Sequence, residues 1–295
     1  QRQGAEPVGI FHYTPASPQT LVRKETVKVC QNTQQTPQEN RLMNETKSGA
    51  ELVTPYSDRR DKTDQVEEMF DSIAPAYDFM NTAMTFGLHR WWRSRALDAA
   101  SKELSSSPRA ILDIATGTGD VAFDLHRRFP EAEITGIDLS DGMLEVAREK
   151  LAKCDASARN RISFIQGDSL DLFLPDNSQD MITVAYGVRN FEHLKQGYRE
   201  MLRVLRPGGT LCVIELSRPA SKIPFALYNI YSHHIIPFAG RIVSGDTRAY
   251  SYLPESIAAA PQRNDMTSVM ESCGFTGCRW KSLTFGAVTY YIAHK

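Results

Sequence analysis

Apolar and polar positions follow two rhythms along this chain. Between residues 109 and 216, five runs have the composition of β-strands: RAILDIA (109–115), AEITGIDL (132–139), RISFIQGD (161–168), DMITVAYG (180–187) and GTLCVIEL (209–216). Helix-period segments lie between them at Asp120–Phe129, Asp141–Cys154 and Phe191–Leu205. Strand–helix alternation with short connections predicts a parallel, doubly wound α/β sheet. Upstream, QVEEMFDSIAPAYDFMN places Val66, Met69, Phe70 and Ile73 at i, i+3, i+4 and i+7, a helical stripe that Pro75 interrupts. After Leu216 the rhythm breaks over 217–261, a stretch rich in aromatic residues and punctuated by proline. It resumes with a helix near Gln262–Cys273 and two last strands, FTGCRWKSLT and VTYYIAHK.

Composition narrows the picture. The chain has 295 residues, 41% of them hydrophobic, enough for one large α/β domain with a substantial core. A net charge of −1 offers no global attraction for nucleic acid, so no nucleic-acid partner is expected. The five cysteines are scattered, which fits reduced thiols and a cytoplasmic location. Cys273 and Cys278 have no second pair to complete a zinc site, so no metal is expected. The most apolar stretch, Pro224–Gly240, is interrupted by Asn229, Ser232, His233 and His234 and is too short to span a bilayer. Residues 1–57, rich in Gln, Thr, Pro and Ser, read as a disordered leader, with 58–295 as a single domain. The leader lacks a signal-peptide core, and Glu6, Glu25 and Glu39 break up the positive field of a transit peptide. The simplest reading starts the native chain at Met43.

The first strand runs into a glycine-rich turn and a helix in ILDIATGTGDVAF (Ile111–Phe123). Glycines allow a sharp turn and close ligand approach, and the helix start offers free N–H groups. Gly117, Gly119 and Ala122 satisfy G-x-G-x-x-A, which a nicotinamide dinucleotide site would share. Two acids favour S-adenosylmethionine instead. Asp113 would repel a pyrophosphate but suits the ammonium of a methionine moiety, directly or through water. Asp138, ending the second strand, can accept both ribose hydroxyls, a role either cofactor would use. Asp168, at the tip of the third strand, can reach an adenine amino group. A purely structural role for Asp113 and Asp168, as cap and turn residues, competes with this reading. Gly208 and Gly209 in LRPGGTLCVIE read as turn residues only.

Four motifs carry a resemblance to a known family: YDFMN (Tyr77–Asn81) with His89 and Trp92 downstream, YGVRN (Tyr186–Asn190), RVLRPGG (Arg203–Gly209) and RAYSYLPESI (Arg248–Ile257). From about Gln65 onward the chain resembles the C-methyltransferases of ubiquinone and menaquinone biosynthesis, with bacterial menaquinone-type members most similar. The resemblance implies the class I S-adenosylmethionine-dependent methyltransferase (Rossmann-like) α/β fold. That is a mostly parallel seven-stranded sheet with an antiparallel last strand and an N-terminal helical lid over 62–100. It implies C-methylation of a prenylated quinol, with naphthoquinol or benzoquinol rings and other small phenol or lipid acceptors left open. The expected cofactor-binding set is Asp113, Gly117, Thr118, Gly119, Asp138, Asp168, Ser169 and Ala185.

The tip of the fourth strand places Arg189 and Asn190 at the ligand crevice of an open α/β sheet. Arginine is always charged, so Arg189 is no simple base; it can stabilise a developing phenolate and orient a water that takes the proton. Asn190 can fix a ring oxygen, and Tyr77 can reach in from the N-terminal segment. The resemblance implies that Tyr77, Arg189 and Asn190 form the catalytic site. Structural alternatives compete: Arg189 paired with Glu192, and Tyr77 as a core aromatic. His89 reads as a helix-packing or capping residue, and His233 and His234 rank below Arg189 as bases. The Tyr77–Arg93 stretch is expected to close over the crevice, its aromatics shielding the ring. Residues 217–261 are expected to line a prenyl channel with Ile223, Phe225, Leu227, Tyr228, Ile235, Ile236 and Phe238, or to form a homodimer surface. A bilayer-borne acceptor predicts transient membrane-surface contact, peripheral at the inner face.

Overall fold

The computed structural model describes residues 49–221 and 247–295, with side chains of the second span from Ser251. Seven strands form one sheet: β1 (Ala110–Ile114), β2 (Glu133–Asp138), β3 (Ile162–Gln166), β4 (Gln179–Ala185), β5 (Leu205–Leu216), β6 (Thr276–Leu283) and β7 (Val288–His294). Their spatial order is β3-β2-β1-β4-β5-β7-β6. The first five are parallel, and β7 lies antiparallel between β5 and β6. The seven expected strands thus appear close to their expected limits. Leu205 pairs with Gln179, but pairing resumes only at Thr210 opposite Met181, so the Pro-Gly-Gly segment loops out of register.

Side-chain alternation divides the core between the two faces of the sheet. Leu112, Ile114, Ile182, Val184, Leu211 and Val213 point to one face. There they meet Tyr198 and Met201 of α7 (Leu194–Val204) and Met266 and Met270 of α9 (Asn264–Ser272). Ile111, Met181, Cys212 and Ile214 point the other way, against three helices. These are α3 (Leu88–Ser101), α4 (Asp120–Arg128) and α5 (Asp141–Ala152). Ser140 caps α5 by accepting the Met143 N–H, and Asp155 caps the short α6 (Ala156–Arg161), which the periodicity did not reveal.

The N-terminal helices α1 (Lys62–Ile73) and α2 (Tyr77–Thr85) pack above the carboxyl ends of the strands. Met69, Ile73 and Met80 meet Met143 of α5 and Tyr252 of α8 (Thr247–Ala259) there. α8 is a helix inside the stretch where the sequence rhythm breaks. The leader expected to be disordered up to residue 57 is folded at its end: Gly49–Leu52 form a 3-10 turn, and Glu51 accepts the Leu194 N–H at 2.7 Å. The expectations for residues 1–48, His233, His234 and the channel residues between Ile223 and Phe238 lie outside the described residues.

Candidate active site

In an open parallel sheet, a crevice forms at the carboxyl ends where the strand order reverses. Here that point lies between β1 and β4. Beyond β1, Ala115, Gly117 and Gly119 take left-handed backbone with φ of 52°, 56° and 82°. A Cβ on Gly117 would meet nothing within 4 Å, so that side of the loop faces open space. A Cβ on Gly119 would come within 2.6 Å of the Phe164 ring, so packing requires that glycine. The Gly117 N–H donates to the Asp138 carboxylate at 2.7 Å, tying the loop to the tip of β2.

Two cavities open here. The smaller, about 720 Å³ including the solvent space at its mouth, has Asp138, Asp168, Ser169 and Asn190 in its wall. The larger, about 1910 Å³ by the same measure, is mainly apolar, with Met69, Ile73, Met80, Trp92 and Ile257 beside Thr118 and Arg189. Phe70, Tyr77, Ala115, Gly117, Ala185 and Tyr186 belong to both walls. A group bound in one cavity therefore faces a group bound in the other across this strip.

Burial pushes Asp138 up to about 6, against backbone hydrogen bonds that favour its charge, and raises Asp168 as well. Asp113 and Gly119 reach neither cavity. Each Asp113 oxygen accepts a threonine hydroxyl, from Thr116 and Thr183, both at 2.6 Å, and burial pushes its carboxyl up to about 7. Asp113, expected to meet a cofactor ammonium directly or through water, braces the loop from beneath through these threonines. Thr118 lies on the larger cavity only, and its hydroxyl donates to Asp78 of α2 at 2.6 Å.

Arg189 is buried and pairs with Glu215 at 2.8 Å, not with Glu192. Glu192 instead accepts the N–H and hydroxyl of Thr63. Burial works against the Arg189 charge, but Glu215 together with Tyr252 and Tyr77 outweighs it and holds the guanidinium above its ordinary pKa. Asn190 faces the smaller cavity rather than the larger one, accepts from the Tyr252 hydroxyl at 3.1 Å and donates to the Tyr186 carbonyl. Its amide therefore braces the loop, where a direct grip on a ring oxygen was expected. His89 is buried in α3 with Nδ1 2.7 Å from the Thr85 hydroxyl, and burial beside Arg93 lowers its pKa. Of the stretch expected to shield the ring, Tyr77 and Trp92 face the cavity, while Phe79 and Trp91 are exposed.

The sequence model of the ubiE/COQ5 methyltransferase family matches residues 58–295. The chain belongs to that family. It is 43% identical to the demethylmenaquinone methyltransferase of Porphyromonas gingivalis over 83% of this chain and 98% of the relative. It is 36% identical to a ubiquinone/menaquinone biosynthesis C-methyltransferase of Idiomarina loihiensis over 80% and 93% of the two chains. Among solved structures, the [4+2]-cyclase SpnF superposes with a TM-score of 0.59 at 17% identity, covering 79% of this chain and 96% of that one. A possible histamine N-methyltransferase of Thermotoga maritima gives 0.52 at 18% identity, covering 77% and 99%. These two speak for the fold alone.

As a family member the protein is an S-adenosyl-L-methionine-dependent methyltransferase, and the smaller cavity fits that cofactor. Open space at Gly117 admits a ligand against the backbone, and two carboxylates suit hydroxyl and amino donors. Sequence reasoning missed Glu215, Lys62, Tyr252 and the Lys150 cluster. Buried Lys62 donates to the Ala50 and Arg189 carbonyls, holding the Arg189 loop from behind. Lys150 bridges Asp78 of α2 and Asp120 of α4, both at 2.8 Å. Only Glu215 had a local signal: an acid inside an otherwise apolar strand run.

Proposed function

We propose that the protein methylates a ring carbon of a prenylated quinol, converting demethylmenaquinol to menaquinol, the last step of menaquinone biosynthesis. The observation that carries this reading is the adjoining pair of cavities. A cavity walled by Asp138, Asp168 and Ser169 shares a strip of wall with a larger, mainly apolar one that Arg189 also lines. S-adenosyl-L-methionine, when bound, supplies an electrophilic methyl to the ring carbon.

The chain's own residues do the rest. Asp138 takes the ribose hydroxyls, and Asp168 with Ser169 takes the adenine end, while Gly117 and Ala185 keep the shared wall thin. Asp113, Thr118 and Gly119 hold the loop that carries Gly117. A quinol ring carbon is a better nucleophile when a ring oxygen has lost its proton to a water oriented by Arg189. The hydrogen that the methyl displaces leaves the ring carbon as a proton to water as aromaticity returns. Arg189, charged at any working pH, stabilises that oxygen in a site sheltered from water. Tyr77 donates across the shared wall, and Asn190 fixes the loop that aims Arg189. The apolar wall excludes water and receives the proximal part of the tail.

The test is methyl transfer from labelled S-adenosylmethionine, read by mass spectrometry, with reduced demethylmenaquinone, a reduced prenylated benzoquinone and unrelated phenols as acceptors. Labelled menaquinol is the expected product, and cells lacking the protein should accumulate the unmethylated quinone. Transfer to simple phenols but to neither quinol would reject the reading. Methylation of the benzoquinol precursor of ubiquinone is the second reading, favoured by relatives named for both pathways at 36% identity.

The mouth of the larger cavity also suits a membrane surface. Phe86 and Leu88 stand in its wall yet are 85% and 43% exposed, and Trp91 lies one turn along α3 from Leu88. Exposed Phe285 adjoins the wall residue Thr284. No described helix is long and apolar enough to cross a membrane. Peripheral contact predicts co-sedimentation with anionic phospholipid vesicles that Trp91→Asp with Phe86→Asp abolishes; wild-type protein left in the supernatant would dismiss it.

A further inference from the structure

Beyond Arg189, one side chain at the tip of β4 is built for a ligand it does not meet within the chain. Tyr186 follows the last residue of β4 with φ 60°, a left-handed conformation that a bulky residue rarely adopts. Its backbone is pinned on both sides. The N–H donates to the Ile214 carbonyl at 2.7 Å, and the carbonyl accepts from Arg189 Nη1 and from the Asn190 amide. Strain over-determined in this way is a mark of functional sites. Tyr186 belongs to the strip shared by the two cavities and packs against the core beneath α3 and α4.

The Tyr186 hydroxyl is sealed from solvent and has no hydrogen-bond partner among the described residues. Arg189 Nε, on the next turn of chain, is orphaned in the same way. Buried polar atoms are almost always paired, so two orphans three residues apart on one loop call for an outside oxygen. Burial raises the Tyr186 pKa despite the nearby Arg93 and Arg189 charges, so the phenol stays protonated and can only donate to an anion. Arg93 is already engaged by Asp120 and Asp124. Arg189 stands on the larger cavity only and Tyr186 on both, so the larger cavity is the one the two residues share.

We infer that the Tyr186 hydroxyl and Arg189 Nε form a subsite for an anionic ring oxygen of the methyl acceptor, making Tyr186 a further catalytic residue. This rests on the phenolic acceptor proposed above. The same donor chemistry would serve the carboxylate of the cofactor, and the test separates the two sources.

Tyr186→Phe keeps the ring and removes only the orphaned oxygen. Its thermal midpoint should equal or exceed that of the wild type, because the deleted hydroxyl is unpaired in the free protein. Cofactor affinity by calorimetry should change less than about twofold, while kcat/KM for the quinol falls at least about tenfold, the scale of one hydrogen bond to a charged oxygen. 4-Nitrophenol, added with S-adenosylhomocysteine, gives a readout independent of turnover. The wild type should lower the pH at which the bound probe becomes phenolate, and Tyr186→Phe should lose most of that effect. If the wild type ionises the probe but methylates no quinol, the acceptor reading fails and the subsite stands. Unchanged kcat/KM and probe titration in Tyr186→Phe would overturn the subsite. So would a tenfold loss of cofactor affinity, which assigns the hydroxyl to the cofactor carboxylate, or a marked drop in thermal midpoint, which makes it structural.

Discussion

Glu215→Gln removes one charge and almost no volume beneath the acceptor cavity. In the wild type the Arg189 and Glu215 side chains are 8% and 3% exposed and 2.8 Å apart. The second carboxylate oxygen accepts the Arg189 N–H at 3.3 Å, and the Leu216 N–H donates to the first at 2.8 Å. Neutralising the acid leaves a guanidinium out of water with no counter-charge, a change that costs about 3–5 kcal/mol for buried pairs. At about 2–4 °C per kcal/mol for a domain of this size, the thermal midpoint should fall by roughly 6–20 °C. Circular dichroism melts measure this. The deficit should persist from low salt to about 1 M, because a buried pair is screened little. The decisive variant replaces both partners, Arg189→Leu with Glu215→Leu. Exchanging a buried ion pair for apolar side chains is often neutral or stabilising, so the double variant should recover most of the lost midpoint. It should still bind S-adenosylmethionine and should transfer no methyl. A drop under about 1 kcal/mol in Glu215→Gln would refute the buried pair as drawn here, on the scale of exposed ion pairs. A double variant that turns over quinol would refute the role of Arg189.

Asp113→Asn tests the buried charge beneath the glycine loop. The folded carboxyl titrates at about 7 against 3.8 for the free group, so the native state holds the extra proton between those values and ionisation weakens it as pH rises. Asp120 and Asp180, whose pKa values are lowered, push overall stability the other way, so the comparison is between variants. Asp113→Asn should be more stable than the wild type at pH 8, with the gap closing as pH falls below about 7; a constant gap would contradict the burial. Cofactor affinity should weaken below about pH 6, where Asp138 protonates, with protons released on binding near that pH and seen by calorimetry in buffers of different ionisation enthalpy. Lys150→Met cuts the tie between α2 and the cofactor loop. Its partners are 37–44% exposed, so the loss of stability should be at most about 1 kcal/mol. The cofactor KM should rise a few-fold and lose its salt dependence, and an unchanged KM would remove any role for the tie.

The sheet and the strand-tip acids were legible because they depend on local order: an apolar run, then an acid or glycine where the strand ends. What escaped depended on which strands lie side by side and which face a residue takes. Asp113 was read as an acid for the cofactor ammonium, but it shares the parity of Ile111, so its side chain points to the sheet face that packs under α3 and α4. Arg189 was offered Glu192 as a partner because the two are close in sequence. Its actual partner comes from β5, whose parallel register sets Ala185 opposite Ile214 and so carries Glu215 to the Arg189 loop. The same pairing supplies the Ile214 carbonyl that holds Tyr186 in its left-handed turn. Lys62 was legible only as the first residue of a helical pattern, because its partners are carbonyls more than a hundred residues away or on the folded end of the leader. In each case the missing information was a long-range juxtaposition made by sheet pairing or by helix packing over the strand ends. The cofactor side, written in local turns, is therefore open to motif reading. The acceptor side is assembled from β4, β5 and the N-terminal helices, and it emerges only once the parallel pairs have formed.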